Sequence, residues 1–286
     1  MSSSPGPFRA AVEVVAPAKL TVSLHVDGVR PDGYHTLVAE MVALDLADRL
    51  LIEPGGSGLT IEGDARGTEL VPTGAGNLVE RALRASGRRA GIRLVKSIPV
   101  GGGLGGGSSD AAAVLRWARC TDLEVAARLG ADVPFCLVGG RALVRGIGEK
   151  VEPLDYQERW FTLLVPPFGV DTAAVYREWD RETRRRGSPL VTPPNDLTQP
   201  ALAVEPRLAV WRDALAEASG RTVALAGSGS TWFVEGHPHD LGLTGASLVV
   251  GHQRGALIGV RTVPADWSGT AGDPPGAPVS PITAFD

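Results

Sequence analysis

The chain has 286 residues, 43% of them hydrophobic, and a formal net charge of −4. This length predicts two domains or one long α/β domain, and the charge gives no indication of nucleic-acid binding. No segment approaches the roughly 20 apolar residues that span a bilayer. Residues 1–9 lack the apolar core of a signal peptide, and two cysteines are too few for a disulfide framework or metal site. We therefore expect a soluble cytoplasmic protein without nucleic-acid or membrane partners.

Alternation of polar and apolar residues predicts mostly strands at the start of the chain. These strands span 10–15, 19–26, 38–46, 49–52 and 59–61. Asn77 then precedes a short helical pattern over 78–85 and is a suitable N-cap residue for it. The other elements predicted in this half are a strand over 92–95, helices over 111–118 and 124–129, and a strand over 142–145.

The second half again mixes strands and helices. Its predicted elements are a strand over 160–165, helices over 172–179 and 208–218, a loop of small residues over 225–231 and a strand over 232–234. We place a boundary near 154–159, which divides the chain into domains 1–156 and 157–266. Residues 267–286 are rich in Gly, Pro, Ala, Ser and Thr and predict a disordered tail. Mostly antiparallel strands with separately grouped helices predict an α+β fold.

The segment from Lys96 to Asp110 contains the most informative pattern in the chain. Six glycines lie between Gly101 and Gly107, and two serines and a predicted helix follow them. Glycine lets backbone N–H groups approach an anion closely, and the N-terminus of a helix favours negative charge. The segment therefore predicts an anion cradle, most simply for a phosphate.

The residues of this loop allow three other interpretations. A Walker A loop requires a lysine before the serines, and none is present. Gly101, Gly103 and Gly106 match the dinucleotide fingerprint, with Asp122 near the expected ribose-binding acid, but so many glycines make that match nearly automatic. A flexible linker is the third interpretation. It is disfavoured because an apolar strand precedes the loop and an alanine-rich helix follows it.

Five segments together carry a resemblance to a known family. The segments 17–24, 99–109 and 226–231 resemble the three motifs of the GHMP kinase superfamily. Two more, 30–35 and 129–135, are similar to one branch of it, whose members phosphorylate a cytidine diphosphate-linked methylerythritol in non-mevalonate isoprenoid biosynthesis. The resemblance implies a two-domain GHMP kinase fold with the active site in the interdomain cleft.

The resemblance also implies ATP-dependent phosphorylation of the substrate's 2-hydroxyl, with ATP and Mg²⁺ as cofactors. Asp132 would accept the hydroxyl proton, and Lys19 would stabilise the developing negative charge. The residues expected to bind ATP are Pro99, Val100, Gly101, Gly102, Gly103, Leu104, Gly105, Gly106, Gly107, Ser108 and Ser109, together with Asn77 near the adenine or ribose. Ser108 or Ser109 would help to hold Mg²⁺.

A second set of residues is expected on the side of the alcohol substrate. Tyr34 and His35 would recognise the cytidine, the histidine by hydrogen bonding and the tyrosine by stacking. The remaining residues of this set are Thr21, Thr172, Gly227, Ser228 and Gly229. The loop that contains the last three would close over Lys19 and Asp132.

Most of these residues also have an ordinary structural interpretation. Asp132 could cap a helix or belong to a turn, and Lys19 could lie on a solvated strand face. His35 could be a turn residue, and the loop 227–229 could be only a tight turn. These alternatives stay open at the level of the sequence.

Two departures from the family pattern bear on function. Thr21 stands where the family usually has asparagine, and a hydroxyl offers fewer hydrogen bonds than an amide. The segment 115–122 is shorter than is usual before the Gly-Ala-Asp motif. Two other functions therefore stay open: a nucleotide-binding protein that has lost catalysis, and a GHMP kinase for another small alcohol such as homoserine or mevalonate. The sequence does not indicate an oligomeric state.

Overall fold

The computed structural model describes residues 10–189 and 191–269. Its strands are β1 (Val12–Val29), β2 (His35–Pro54), β3 (Leu59–Glu62), β4 (Ala90–Val95), β5 (Arg141–Gly146), β6 (Lys150–Leu154), β7 (Trp160–Val165), β8 (Ala224–Leu225), β9 (Trp232–Glu235), β10 (Ser247–Val250) and β11 (Gln253–Arg261). Its α-helices are α1 (Leu78–Ala85), α2 (Gly106–Trp117), α3 (Leu123–Leu129), α4 (Val133–Val138), α5 (Thr172–Arg186), α6 (Thr198–Val204) and α7 (Arg207–Ser219). Of the predicted tail, residues 270–286 lie outside the described part of the chain.

Strand β2 organises the first sheet. It pairs antiparallel with β1 along almost its whole length, from Val12 opposite Ile52 to Val29 opposite His35. Its other edge pairs with β5 near the start of β2 and with β4 near its end. Strand β3 adds to β4, and β6 adds to β5. The two long strands therefore form a platform on which the helices of the first half pack.

The second sheet has the order β10-β11-β7-β9-β8 and is antiparallel throughout. The chain passes from one sheet to the other between Leu154 and Trp160, within the segment predicted as a boundary. An isolated bridge between Leu44 and Thr262 joins the two sheets. The division into domains 1–156 and 157–266 stays a prediction, whereas the mixed α+β architecture is confirmed.

Helix α2 lies at the centre of the first half. Its residues 111–115 are completely buried, and it packs against β1, α1 and α4. Three of these five residues are alanines, whose small side chains allow the close approach of neighbouring backbones. The glycine-rich segment is thereby attached to a rigid element.

No helix within the described residues is long and apolar enough to cross a membrane.

Several predicted elements are confirmed, some with the predicted bounds and others with longer ends. The helix over 78–85 and the strand over 160–165 have the predicted bounds. Helix α5 continues from the predicted 172–179 through the charged segment to Arg186, because glutamates and arginines three residues apart pair along its surface. The helix after the glycine loop starts at Gly106 rather than at Ala111, so the two serines lie in its first turn.

Candidate active site

The site begins at a bulge in β1. The pairing of β1 with β2 shifts register between Pro17 and Lys19, where proline has no N–H to donate to a ladder. The freed backbone groups bind the glycine-rich segment instead: Lys19 N donates to Leu104 O at 2.9 Å, and Ser109 Oγ donates to Pro17 O at 2.5 Å. The bulge therefore attaches β1 to the middle of the loop and to the first turn of α2.

The loop itself alternates in backbone conformation. Gly101, Gly103 and Gly105 have φ angles of +77°, +82° and +71°, values that favour glycine strongly. Gly105 occupies the N-cap of α2 and provides no side-chain cap. The first backbone N–H groups of α2 are thus left available to a ligand. This geometry supports an anion cradle and not a linker.

Two of these glycines are also required by close packing. A Cβ on Gly105 would lie 2.6 Å from Lys19 Cγ, and a Cβ on Gly103 would lie 2.8 Å from the Cα of Gly229. Thr231 Oγ1 donates to Gly102 O at 2.6 Å. The glycine-rich loop and the loop 225–231 of the second sheet therefore pack backbone against backbone.

A buried group of three charges holds the loop at its base. Lys96 Nζ donates to Asp48 and, at 2.7 Å, to Asp110, and all three side chains are at least 97% buried. Asp48 also accepts from the N–H groups of Ser97 and Ile98 at 2.6 and 2.8 Å. Lys96 and Ile98 precede the glycines and Asp110 follows them, so this group connects the two ends of the loop.

The charges in this group perturb one another. Burial raises the pKa of Asp110 to about 8, with attraction to Lys96 acting in the opposite direction. For Lys96, burial is the largest single effect and lowers its pKa, but attraction to Asp110 and Asp48 together outweighs it, so that its pKa lies above the ordinary value. The lysine is therefore charged, and its charge is balanced within this buried group.

A cavity of about 250 Å³ opens between the glycine-rich loop and the segment that leads into α1. Its walls include Leu70, Val71 and Pro72 on one side and residues 98–101 and 103–107 on the other, with Lys96 and Asp110 among the lining residues. Asn77 lines it as well, and its side chain accepts from Val79 N and donates to Pro72 O, each at 2.8 Å. Asn77 thus combines the predicted helix cap with a position in this cavity.

Lys19 and Asp132 form an ion pair on the other side of the loop. Lys19 Nζ lies 3.3 Å from Asp132 Oδ2, and the two side chains are 7% and 32% exposed. Asp132 occupies the N-cap position of α4, but its side chain accepts no hydrogen bond from that helix. The structure therefore does not support the helix-cap interpretation, and the carboxylate remains partly exposed to solvent.

Of the residues predicted in the second half, Gly227 lies next to Lys19, and Ser228 contacts Thr172. A Cβ on Gly227 would lie 3.4 Å from Thr21 Oγ1 and 4.0 Å from Lys19 Nζ. Ser228 Oγ donates to Thr172 Oγ1 at 3.1 Å. Thr21 is buried and accepts from Lys19 Nζ at 3.2 Å, so its hydroxyl contacts the lysine.

The two serines after the loop differ in what they can contact. Ser109 is completely buried, and its hydroxyl lies between Pro17 O and Cys136 Sγ. Ser108 is only partly buried in the first turn of α2. Of the two predicted metal-binding hydroxyls, that of Ser109 is therefore committed to the protein and that of Ser108 is available. Burial also raises the pKa of the Cys136 thiol to about 12.

Tyr34 and His35 lie at the start of β2 but in different surroundings. The side chain of Tyr34 is 62% exposed. The His35 ring packs 4.8 Å from the ring of Tyr176 and 5.5 Å from that of Trp179, and its Nε2 lies 2.8 Å from Asp180 Oδ1. The structure thus groups His35 with one face of α5 and leaves Tyr34 in solvent.

Tyr176 links this aromatic group to the ion pair. Burial raises its pKa, and the negative charge of Asp132 acts in the same direction. The phenol therefore lies within electrostatic reach of Asp132. Sequence analysis missed Tyr176 and Asp180, although their i, i+4 spacing on a helix that begins at Thr172 places them on one face.

Lys96 was also missed as a functional candidate, although the rarity of lysine in this chain could have drawn attention to it. The chain has 28 lysine and arginine residues, and only three of them, Lys19, Lys96 and Lys150, are lysines. Two of these three are buried at the site. A compact ammonium fits between carboxylates where a planar guanidinium does not. Asp122, the acid of the dinucleotide fingerprint, instead caps α3 through Glu124 N and Val125 N.

Comparison with known proteins agrees with this arrangement. Residues 73–140 match the family model of the GHMP kinases N terminal domain. A 4-diphosphocytidyl-2-C-methyl-D-erythritol kinase from Nitrosomonas eutropha is 38% identical over 244 residues, which cover 77% of this chain and 86% of that protein. The enzyme of the same name from Thermus thermophilus is 37% identical over 288 residues, covering 91% and 97%. This chain belongs to the 4-diphosphocytidyl-2-C-methyl-D-erythritol kinase family.

Solved structures extend the family assignment to the fold. A crystal structure of 4-(cytidine 5'-diphospho)-2C-methyl-D-erythritol kinase matches with a TM-score of 0.65 and 35% identity, covering 88% of this chain and 100% of that chain. Mevalonate kinase from Methanococcus jannaschii matches with a TM-score of 0.57 at 12% identity, a likeness in fold alone. The predicted GHMP kinase fold is therefore confirmed.

We expect Lys96→Met to destabilise the fold by about 3–5 kcal/mol, because it leaves the buried Asp48 and Asp110 side chains without their cationic partner. Urea unfolding followed by circular dichroism measures this change. Lys150→Met, at the exposed lysine of β6, is the matched control and should change the free energy of unfolding by less than about 0.5 kcal/mol. Equal losses in the two variants would contradict the role of the buried group.

Proposed function

We propose that this chain is an ATP-dependent kinase that phosphorylates the 2-hydroxyl of 4-diphosphocytidyl-2-C-methyl-D-erythritol. The observation that carries the proposal is the Lys19–Asp132 pair, which lies beside an anion cradle and within electrostatic reach of the aromatic group around His35. The family membership supports the same reaction, since the relatives carry this enzyme's name.

Catalysis in this site would consist of positioning and charge stabilisation. Asp132 accepts the proton of the attacking hydroxyl, whose oxygen forms the new bond to the γ-phosphorus while the bond to the β-phosphate oxygen breaks. ADP departs, and Asp132 returns its proton to solvent. Lys19 stabilises the negative charge on the attacking oxygen, and the backbone N–H groups of the glycine-rich loop and α2 stabilise the phosphate oxygens.

The residues present also fit a magnesium ion. Mg²⁺ takes most of its ligands from phosphates and water, so the protein needs to add only one or two oxygen ligands. Ser108 supplies the available hydroxyl at the start of α2. When bound, the ion would neutralise charge on the transferred phosphoryl group. Cytoplasmic location and the absence of nucleic-acid partners stay predictions from the sequence.

The alternative of a catalytically inactive nucleotide-binding protein has less support. The Lys19–Asp132 pair is intact, and Thr21 preserves a hydrogen bond to Lys19. A kinase for homoserine or mevalonate has support only at the level of the fold, because the matching structures of those enzymes are 17% identical or less.

We expect Asp132→Asn to lower turnover about 10²- to 10⁴-fold, because the amide cannot accept the hydroxyl proton. ADP release is measured with Mg·ATP and 4-diphosphocytidyl-2-C-methyl-D-erythritol, and ATP affinity should be retained. Asp122→Asn is the matched control, since Asp122 is an exposed aspartate at another helix N-cap. Full turnover by Asp132→Asn would refute the base assignment, and cytidine-substrate binding without turnover by the unmodified chain would indicate the inactive alternative.

We expect Asp180→Ala to raise the KM for the cytidine substrate about tenfold and to leave the KM for ATP unchanged. Asp180 accepts the Nε2–H of His35 and holds the ring against Tyr176, so its loss disorders the substrate side of the site. Steady-state kinetics with each substrate varied gives both constants. Glu182→Gln, on the same helix and paired with Arg185, is the control. An effect on the KM for ATP alone would contradict the placement of His35 on the cytidine side of the site.

A further inference from the structure

The segment 192–197 lies in the connection between α5 and α6, yet two of its polar side chains are almost completely buried. Asn195 is 1% exposed and Asp196 is 2% exposed. Buried polar side chains in a connecting segment are costly unless each forms its hydrogen bonds. Their partners lie in two different parts of the molecule.

Asp196 attaches the segment to β1. Its carboxylate accepts from Val26 N at 3.0 Å, from His25 Nδ1 at 2.6 Å and from Thr192 N at 2.7 Å. The backbone reinforces this attachment, since Leu24 N donates to Pro194 O and Asp196 N donates to Leu24 O, at 2.9 and 3.0 Å. The segment is thus fixed to the strand that carries Lys19 and Thr21.

Asn195 attaches the same segment to the second sheet. Its Nδ2 donates to Leu225 O at 2.9 Å and to Gly227 O at 2.6 Å, while its Oδ1 accepts from Leu197 N at 2.9 Å. Both amide hydrogens and the amide oxygen are therefore used. No residue type other than asparagine offers this set of two donors and one acceptor on so short a side chain.

One of the two carbonyl groups that accept from Asn195, that of Gly227, belongs to the loop next to Lys19 of the Lys19–Asp132 pair. Gly227 has a φ angle of +67°, and a Cβ at this position would contact Thr21 Oγ1 and Lys19 Nζ at 3.4 and 4.0 Å. A shift of the Gly227 carbonyl would therefore change the surroundings of the lysine. The segment 192–197 therefore connects β1 to the loop that lies against Lys19 and Thr21 of the same strand.

We propose that Asn195 is a positioning residue for phosphoryl transfer, which holds the loop 225–231 against Lys19 and Thr21 through the carbonyls of Leu225 and Gly227. This inference rests on the proposed kinase function and adds to it a residue that contacts neither nucleotide nor alcohol. Reacting groups must be held to within about 1 Å for full activity, so Asn195 acts on the rate of transfer.

The direct test compares Asn195→Asp with Thr162→Val. The aspartate keeps the shape and the acceptor for Leu197 N but turns an oxygen toward two carbonyl oxygens. Thr162 is a buried residue of β7 whose hydroxyl donates to Gly236 O at 2.9 Å, so Thr162→Val removes a buried side-chain-to-backbone hydrogen bond away from the site. Asn195→Ala is the second variant if the aspartate does not fold.

We expect kcat to fall about 10- to 100-fold in the Asn195 variants, with the KM for ATP within about threefold of that of the unmodified chain. Thr162→Val should lower the melting temperature and retain kcat. A loss of kcat in Thr162→Val as large as in the Asn195 variants would overturn the proposal, because the effect would then be one of general stability.

Amide hydrogen exchange provides a readout that does not depend on the substrate. The peptide 225–231 should exchange faster in Asn195→Asp than in the unmodified chain, while the peptide 78–85 of α1 should not change. Unchanged exchange over 225–231 would overturn the proposal. If the unmodified chain phosphorylates no cytidine substrate, the proposed function fails, and hydrogen exchange alone decides the role of Asn195.

Discussion

The active site depends on the contact of two glycine loops that come from different sheets. A Cβ on Gly229 would lie 2.6 Å from the Cα of Gly103 and 2.7 Å from Gly102 O, distances at which no side chain fits. The hydrogen bond from Thr231 to Gly102 O closes the same contact. The glycine-rich loop next to the first sheet and the loop 225–231 of the second sheet can make this contact only if the residues at the contact have no side chain. Lys19, Thr21 and Gly227 then lie together as a consequence of this contact.

The positive potential of the cradle comes mainly from the backbone. Lys19 is paired with Asp132, and Lys96 is held between Asp48 and Asp110. Neither lysine therefore acts as an unpaired cation toward a phosphate, as the lysine of a Walker A loop does. The exposed N–H groups of the loop and the first turn of α2 take this role. With this division, a glycine-rich loop without a lysine would still be able to hold a triphosphate.

The sequence predicts those parts of the site that are local. Glycines before an alanine-rich helix predict a cradle, and Asn77 before an amphipathic helix predicts the cap that is found. The early start of α2 is less predictable, because two glycines and two serines are poor helix formers. Their helical conformation follows from burial of the helix that they begin and from the bond between Ser109 and Pro17.

The unpredicted parts of the site arise from tertiary contacts. Tyr176 and Asp180 acquire their role only when α5 packs near the start of β2, at a sequence separation that no local pattern encodes. The same holds for Lys96 between Asp48 and Asp110 and for Asn195 beneath Gly227. The exposed position of Tyr34 likewise depends on how the turn before β2 is directed. Asp132 shows what a local pattern alone gives, because its position at a helix N-cap predicts a cap. Only the resemblance to the GHMP kinases grouped it with Lys19, which is its partner in the structure.

The most direct test of this account is the rate of phosphoryl transfer from Mg·ATP to 4-diphosphocytidyl-2-C-methyl-D-erythritol in Gly229→Ala. Gly245→Ala is the matched control, because a Cβ there lies no closer than 3.6 Å to any neighbour. The account predicts a loss of about 100-fold or more in Gly229→Ala, which corresponds to about 2.7 kcal/mol of transition-state stabilisation. It predicts a native circular dichroism spectrum for both variants. Turnover by Gly229→Ala within about twofold of the control would show that phosphoryl transfer does not require the close contact of the two loops.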